Sequence, residues 1–256
     1  MTGISALLGV GEAGLWHGLV VFLRAGALMA LLPGFSEQSV PVRVRLLLAL
    51  ALALVCAPLV PLVPGPATLP VFLRYLLSES IAGLALGLGL RSLVFALQIA
   101  GSMAAQATSL SQVFGAAGVE PLPALGHVLV VAGLALAMLF DLHVHAVMYL
   151  VQSYSLLPAG QLPDPRALSL WGIATTGQAV ALAFTLAAPF VVISLLYNVT
   201  LGVINRAMPQ LMVAFVGAPL ITFGSIFLLW LLAPAMLGVW IEALMRFLHA
   251  PFDVVR

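Results

Sequence analysis

The stretch FDLHVH, residues 140–145, is the densest gathering of chemically capable side chains in the sequence. On a regular helix Asp141 and His145 share one face and His143 points to the other, so the three cannot close on one metal ion. No His-Glu-x-x-His, no Gly-x-Ser-x-Gly and no paired aspartate motif occurs elsewhere, and the reading is of a non-enzyme without metal or cofactor. The chemistry on offer is that of a few charges in apolar surroundings. Arg24 stands in the middle of LWHGLVVFLRAGALMALLPG, where an unpaired guanidinium costs at least about 2.5–3.5 kcal/mol in hydrocarbon. It needs a carboxylate or a polar cavity. Glu79 and Asp141, the only acids well inside predicted spans, are both candidate partners, and the alternative is an interfacial Arg24 whose side chain snorkels to water.

Glu79, Gly83 and Gly87 recur every four residues in SESIAGLALGLGLRS. That spacing puts a carboxylate and a small-residue groove on one helical stripe, a pattern for close helix packing that composition alone also produces. The segment GLGLRS follows no strand and lies inside a helix, so it is no phosphate loop. NRAMPQLMVAFVGAP, residues 205–219, interrupts the longest apolar region with Asn205, Arg206, Pro209 and Gln210. The lone Cys56 stands in an apolar run and is read as a small core residue.

These residues must be positioned by membrane helices. Hydrophobic residues make up 63% of the 256 and charged residues 7%, too little polar surface to coat a water-soluble globule of this size. Charge-free runs extend from Leu46 to Leu73, Ser92 to Val119, Ala167 to Asn205 and Ala207 to Ile241, each long enough for a span of about 20 residues. They lack the alternation of a membrane barrel, so the fold class is all-α. Hydropathy predicts six helical segments, near 13–32, 46–63, 69–100, 125–151, 178–204 and 211–241. The connections at 33–41, 61–70 and 157–165 are short and rich in Gly and Pro. Residues 101–126 are small, nearly uncharged and too broken by Gly and Pro for one tidy helix, which marks a functional loop. The opening MTGISALLGVGE lacks the marks of a cleaved signal peptide. All nine basic residues are Arg, nearly balanced by eight acids, so nothing favours nucleic acid. Their placement gives no clear orientation by the positive-inside rule, three arginines against four.

Several of these features together resemble the FliR family of the bacterial flagellar export apparatus, whose injectisome counterparts belong to the same group. The likeness runs from FLRAGALMALLPGFSEQSVPVRVRLLLAL through ESIAGLALGL, LQIAG, FDLHVH and YSLLPAG to NRAMPQLMVAFVGAPL, the most specific of these. It implies one membrane domain over residues 1–256, with a FliP-like portion over about 1–165 and a FliQ-like helical hairpin over about 166–256. It also implies assembly with FliP, FliQ and FlhB into an export gate of the inner membrane and flagellar basal body, with unfolded flagellar proteins as cargo. Taken together with the residue readings above, Arg24, Glu79, Asp141, His143, Asn205, Arg206, Pro209 and Gln210 are expected as buried polar or assembly positions, and Gly83 and Gly87 as helix-packing positions. A plug loop would lie within 102–124, closed by Val113, Phe114, Gly115, Gly118 and Val119. The chain departs from the family there, with Ser102 in place of a usual Glu and Ala107, Thr108 and Ser109 near a usual Gln-Met-Gly. The competing reading is a small-solute transporter or permease subunit, favoured by the charges in spans and disfavoured by the lack of internal repeats.

Overall fold

The computed structural model describes residues 2–37, 40–65, 68–109, 124–208 and 213–252, the side chains of 2–12, 107–109, 124 and 213–222 excepted. Within these residues the chain is all helix: α1 (Thr2–Met29), α2 (Val42–Cys56, with a 3-10 turn Ala57–Leu59), α3 (Leu69–Ser109), α4 (Ala124–Leu139), α5 (Leu142–Leu156), α6 (Pro165–Ala207) and α7 (Val213–His249). Among the described residues four helices are long and apolar enough to cross a membrane, or up to five spans if the bent pair α4 and α5 counts as one. The protein is an all-α integral membrane protein.

Among the boundaries that differ from the hydropathy reading, three matter most. The segment expected as one helix over 125–151 turns by 74° between Leu139 and Leu142. Asp141 makes this corner, with φ of 56°, a left-handed backbone that Asp tolerates better than most side chains. The helix α6 begins at Pro165, well before 178. Asp164 caps it, its carboxylate accepting the backbone N–H of Arg166 at 3.3 Å and of Ala167 at 3.2 Å, and Pro165 supplies the fixed φ favoured in the first turn. Finally, α3 continues to Ser109, through the start of the expected loop.

The chain forms two compact units. The first comprises Met1–Ser92, Met138–Thr176 and Met245–Arg256, and the second Leu93–Ala137 and Gly177–Leu244. In the first, α1 lies against α2 and α3 with Val20, Val21, Ala25 and Leu28 fully buried. Trp16 and His17 hold the connection that follows α2: Trp16 Nε1 donates to Pro64 O at 2.9 Å. His17 accepts the Val63 N–H at Nδ1 (3.3 Å), which leaves Nε2 to donate to Ala57 O at 2.8 Å. Gly83 and Gly87 face α1: a Cβ on Gly83 would meet the Arg24 carbonyl and come within 2.7 Å of Ala27 Cβ, and one on Gly87 within 2.7 Å of Leu31 Cβ. The two helices approach to a distance that only glycine permits.

The second unit uses the same device. A Cβ on Gly101 would strike the Gly126 backbone, with its N at 2.7 Å, so α3 and α4 cross in direct main-chain contact. Ala96, Ala179 and Ala183 bring α3 against α6, and Trp240 of α7 is fully buried, its Nε1 donating to Leu93 O at 2.8 Å.

The α1–α3 approach has a direct consequence. Gly83→Val should lower the unfolding midpoint in a fixed detergent by the equivalent of about 1–3 kcal/mol of overpacking. Gly177→Ala, where nothing lies within 4 Å of the added methyl, should be neutral or slightly stabilising. Equal behaviour of the two variants would contradict the close approach.

Candidate functional site

Arg24 and Glu79 are both fully buried, and Arg24 Nε donates to Glu79 Oε2 at 2.8 Å. Glu79 is therefore the partner, not Asp141. The pair has a full set of neighbours. Arg24 Nη1 donates to Ser153 Oγ at 3.0 Å and Nη2 to the Leu157 carbonyl at 2.8 Å. The Tyr154 ring lies under the guanidinium, 3.7 Å from Cζ to the ring centroid. On the other side, Glu79 Oε1 accepts the Gly160 N–H at 2.9 Å. Two opposite charges, each satisfied by hydrogen bonds, can be buried where a single charge cannot.

Local folding brings each partner into place. Leu157 is the C-cap residue of α5, so its carbonyl has no helical acceptor role, and the negative end of the α5 dipole faces the arginine. The chain then turns through Leu157-Pro-Ala-Gly160 to present the Gly160 amide to Glu79. Gly160 has φ of +73°, and a Cβ there would come within 2.7 Å of Tyr75 Cζ, so both backbone and space require glycine. One ion pair thus ties α1, α3, the end of α5 and the 157–160 turn.

A second charged cluster gathers around Ser36 and Glu37. Arg91 Nη1 donates to Glu37 Oε1 at 2.9 Å and to Ser36 Oγ at 2.8 Å, while Arg45 Nη2 reaches the carbonyls of Ser36 and Glu37, each at 3.2 Å. Other residues singled out in the sequence are not brought together. Asp141, His143, Asn205 and Arg206 are exposed in this chain, Asn205 and Arg206 in the last turn of α6 and not in a free turn. His145 stacks edge-on against His249, with ring centroids 5.3 Å apart. Pro209, Gln210, Val113, Phe114, Gly115, Gly118 and Val119 lie outside the described residues.

Residues 15–247 match the family described as bacterial export proteins, family 1. The chain belongs to that family. Similar proteins include the flagellar biosynthetic protein FliR of Caulobacter vibrioides, 33% identical over 87% of this chain and 90% of that protein. FliR of Escherichia coli K12 is 30% identical, covering 83% of this chain and 82% of its own. FliR of Bacillus subtilis 168 is 28% identical, covering 79% and 80%.

Within this FliR-like chain the sequence reading missed Ser153, Tyr154, the Leu157 carbonyl and Gly160. Three of the four lie in YSLLPAG, a segment noted only for its resemblance. A physical signal was present: a Pro-Ala-Gly turn directly after an apolar helix supplies exposed main-chain polar groups, which a buried ion pair needs. Arg91 was missed as well, although it stands inside a predicted span and required a partner as much as Arg24 did.

Replacing Gly160 by Ala or Asn should weaken this site. Asn tolerates the left-handed backbone and Ala does not, yet both carry the Cβ that Tyr75 excludes, so each should cost about 1–3 kcal/mol in denaturant unfolding. If Asn alone restored wild-type stability, backbone strain would be the whole of the requirement and the packing against Tyr75 would be refuted.

Proposed function

We propose that this chain is a structural, pore-forming subunit of the flagellar type III protein export gate. In this reading it packs with FliP, FliQ and FlhB in the bacterial inner membrane at the flagellar basal body and passes unfolded flagellar proteins. The names of its relatives support the flagellar assignment, and helix length carries the argument for a multi-subunit assembly. Helix α6 has 43 residues, about 65 Å at 1.5 Å per residue, and is charge-free from Ala167 to Asn205. A hydrocarbon core of about 30 Å, crossed at a steep tilt of about 40°, accommodates only about 39 Å of helix. Exposed apolar side chains on α6 extend further than that: from Ile173 to Val203, about 45 Å, Ile173, Phe184, Val192, Leu195, Leu196, Val199 and Val203 are each more than half exposed in the single chain. Apolar surface longer than the lipid is thick has to be covered in part by other protein, and long apolar helices of neighbouring subunits fit it.

The same reading gives Asn205, Arg206, Pro209 and Gln210 contacts with other subunits at the end of the α6 and α7 hairpin. It gives Asp141 and His143, exposed in the single chain, a place against neighbours. It assigns the FliP-like role to about 1–165 and the FliQ-like role to about 166–256. Residues 102–124 would close the resting channel, Val113, Phe114 and Val119 contributing bulk and Gly115 and Gly118 the tight course, since an apolar constriction dewets and blocks ions. The transporter alternative loses its main argument at Arg24 and Glu79, whose hydrogen-bonding atoms are engaged with each other and with Ser153, Leu157 and Gly160.

The test is a deletion strain. It should grow normally but lack filaments and secreted flagellin, and a tagged copy should restore both and co-purify with other long-helix membrane subunits. Normal filaments in the deletion strain, or a tagged chain that functions while purifying alone, would overturn the proposal.

A further inference from the structure

Among the described helices that are each long and apolar enough to cross a membrane, α2 stands apart as the shortest. With its 3-10 turn it covers Val42–Leu59, 18 residues and about 27 Å, close to the thickness of one hydrocarbon core. Its two sides differ in kind. The side packed in the first unit carries Ala49, Leu52, Ala53 and Cys56, mostly small. The outward side carries Val42, Leu46, Leu47, Leu54 and Val55, each more than half exposed. The closest helix approaches in this chain run through Gly and Ala, as at Gly83 with Ala27, Gly101 with Gly126, and Ala96 with Ala179 and Ala183. A bulky, branched outward side on a helix of bilayer length has the chemistry of a lipid contact.

Charge completes the match at one end. Arg43 is exposed, and among the described residues it forms no ion pair. Arg45 nearby spends Nη2 on main-chain carbonyls, and its buried Nε has no partner among the described residues. The adjacent acid, Glu37, is held by Arg91 at 2.9 Å. The first turn of α2 contains no acidic residue, and its dipole adds positive potential there. An uncompensated cationic end on a lipid-length apolar helix complements a phosphodiester headgroup with acyl chains lying along the helix.

We propose that the outward face of α2 is a docking surface for an acidic glycerophospholipid, its headgroup at Arg43 and its chains along Leu46, Leu47, Leu50 and Leu54. The inference rests on the membrane character of the chain and not on its role in export. It divides the exposed apolar surface in two: α2 meets lipid, and the helices too long for the bilayer meet protein.

The test is native mass spectrometry of the chain purified from membranes and exchanged into equimolar phosphatidylglycerol and phosphatidylcholine. Wild type should retain phosphatidylglycerol preferentially. Arg43→Gln should lower that preference by about fivefold, the effect of one surface arginine on anionic lipid, and Arg43→Lys should keep most of it. Arg74→Gln, an exposed arginine beyond the opposite end of α2 in the chain, should leave it unchanged. Arg43 is exposed and outside both ion pairs found among the described residues, and an unchanged unfolding midpoint is the check on folding. No preference in wild type, no change in Arg43→Gln, or an equal loss in Arg74→Gln would each overturn the proposal. So would loss of a protein subunit mass, in place of lipid, from Arg43→Gln, since a protein would then be what covers this face.

Discussion

The Arg24–Glu79 ion pair constrains everything built around it. A charged residue in the interior of a membrane protein permits only arrangements in which its partner and every remaining donor are within reach, and here those partners come from α3, the end of α5 and the turn after it. Sliding α1 by one turn along α3 would move Arg24 by about 5.4 Å and strand both charges. An apolar contact at the same place would tolerate such a slip. Gly83 and Gly87 act with the pair: they lie one and two turns from Glu79 on the same stripe and bring the α1 backbone close enough for the short bond. The ion pair therefore fixes register where the glycines fix distance.

This division of labour suits a chain with so few polar side chains. Most of its buried surface is Leu, Ala, Val and Gly, which pack well in many registers. Its ion pairs specify one arrangement: the buried Arg24 with Glu79, and the partly exposed Arg91 with Glu37 at the loop that leads into α2. The outer surface is left apolar, and helix length sorts it. A helix of about 27 Å fits lipid, whereas one of about 65 Å does not.

Part of this was legible in the sequence for a simple reason: charge in an apolar segment is expensive, so Arg24 announces that it needs a partner. Which acid answers was not legible, because Glu79 and Asp141 lie 55 and 117 residues away and only the three-dimensional course of α3 and α5 separates them. Asp141 misled for a local reason. Its short side chain allows the left-handed backbone of a helix corner, so at that position Asp serves geometry and not charge. Hydropathy also understated α6, whose first turns hold Thr175, Thr176 and Gln178. Thr176 satisfies its hydroxyl on the preceding turn, Oγ1 donating to Gly172 O at 2.8 Å, so its polarity does not end the helix, whereas the buried Thr175 Oγ1 has no partner among the described residues. The main-chain partners, Leu157 O and Gly160 N–H, are marked in the sequence only by the Pro-Ala-Gly turn that frees them.

The central claim, that Arg24 and Glu79 act as one coupled unit, is tested most directly by a double-mutant cycle. Arg24→Met, Glu79→Met and the double variant would be compared with wild type by reversible denaturant unfolding in one defined detergent. Each single change leaves a buried charge without its counter-ion and should cost about 3–5 kcal/mol, while the double change removes both charges and should cost far less than the sum. Costs that add to within about 0.5 kcal/mol would show that the two side chains contribute independently, and the account of a register-fixing pair would be wrong.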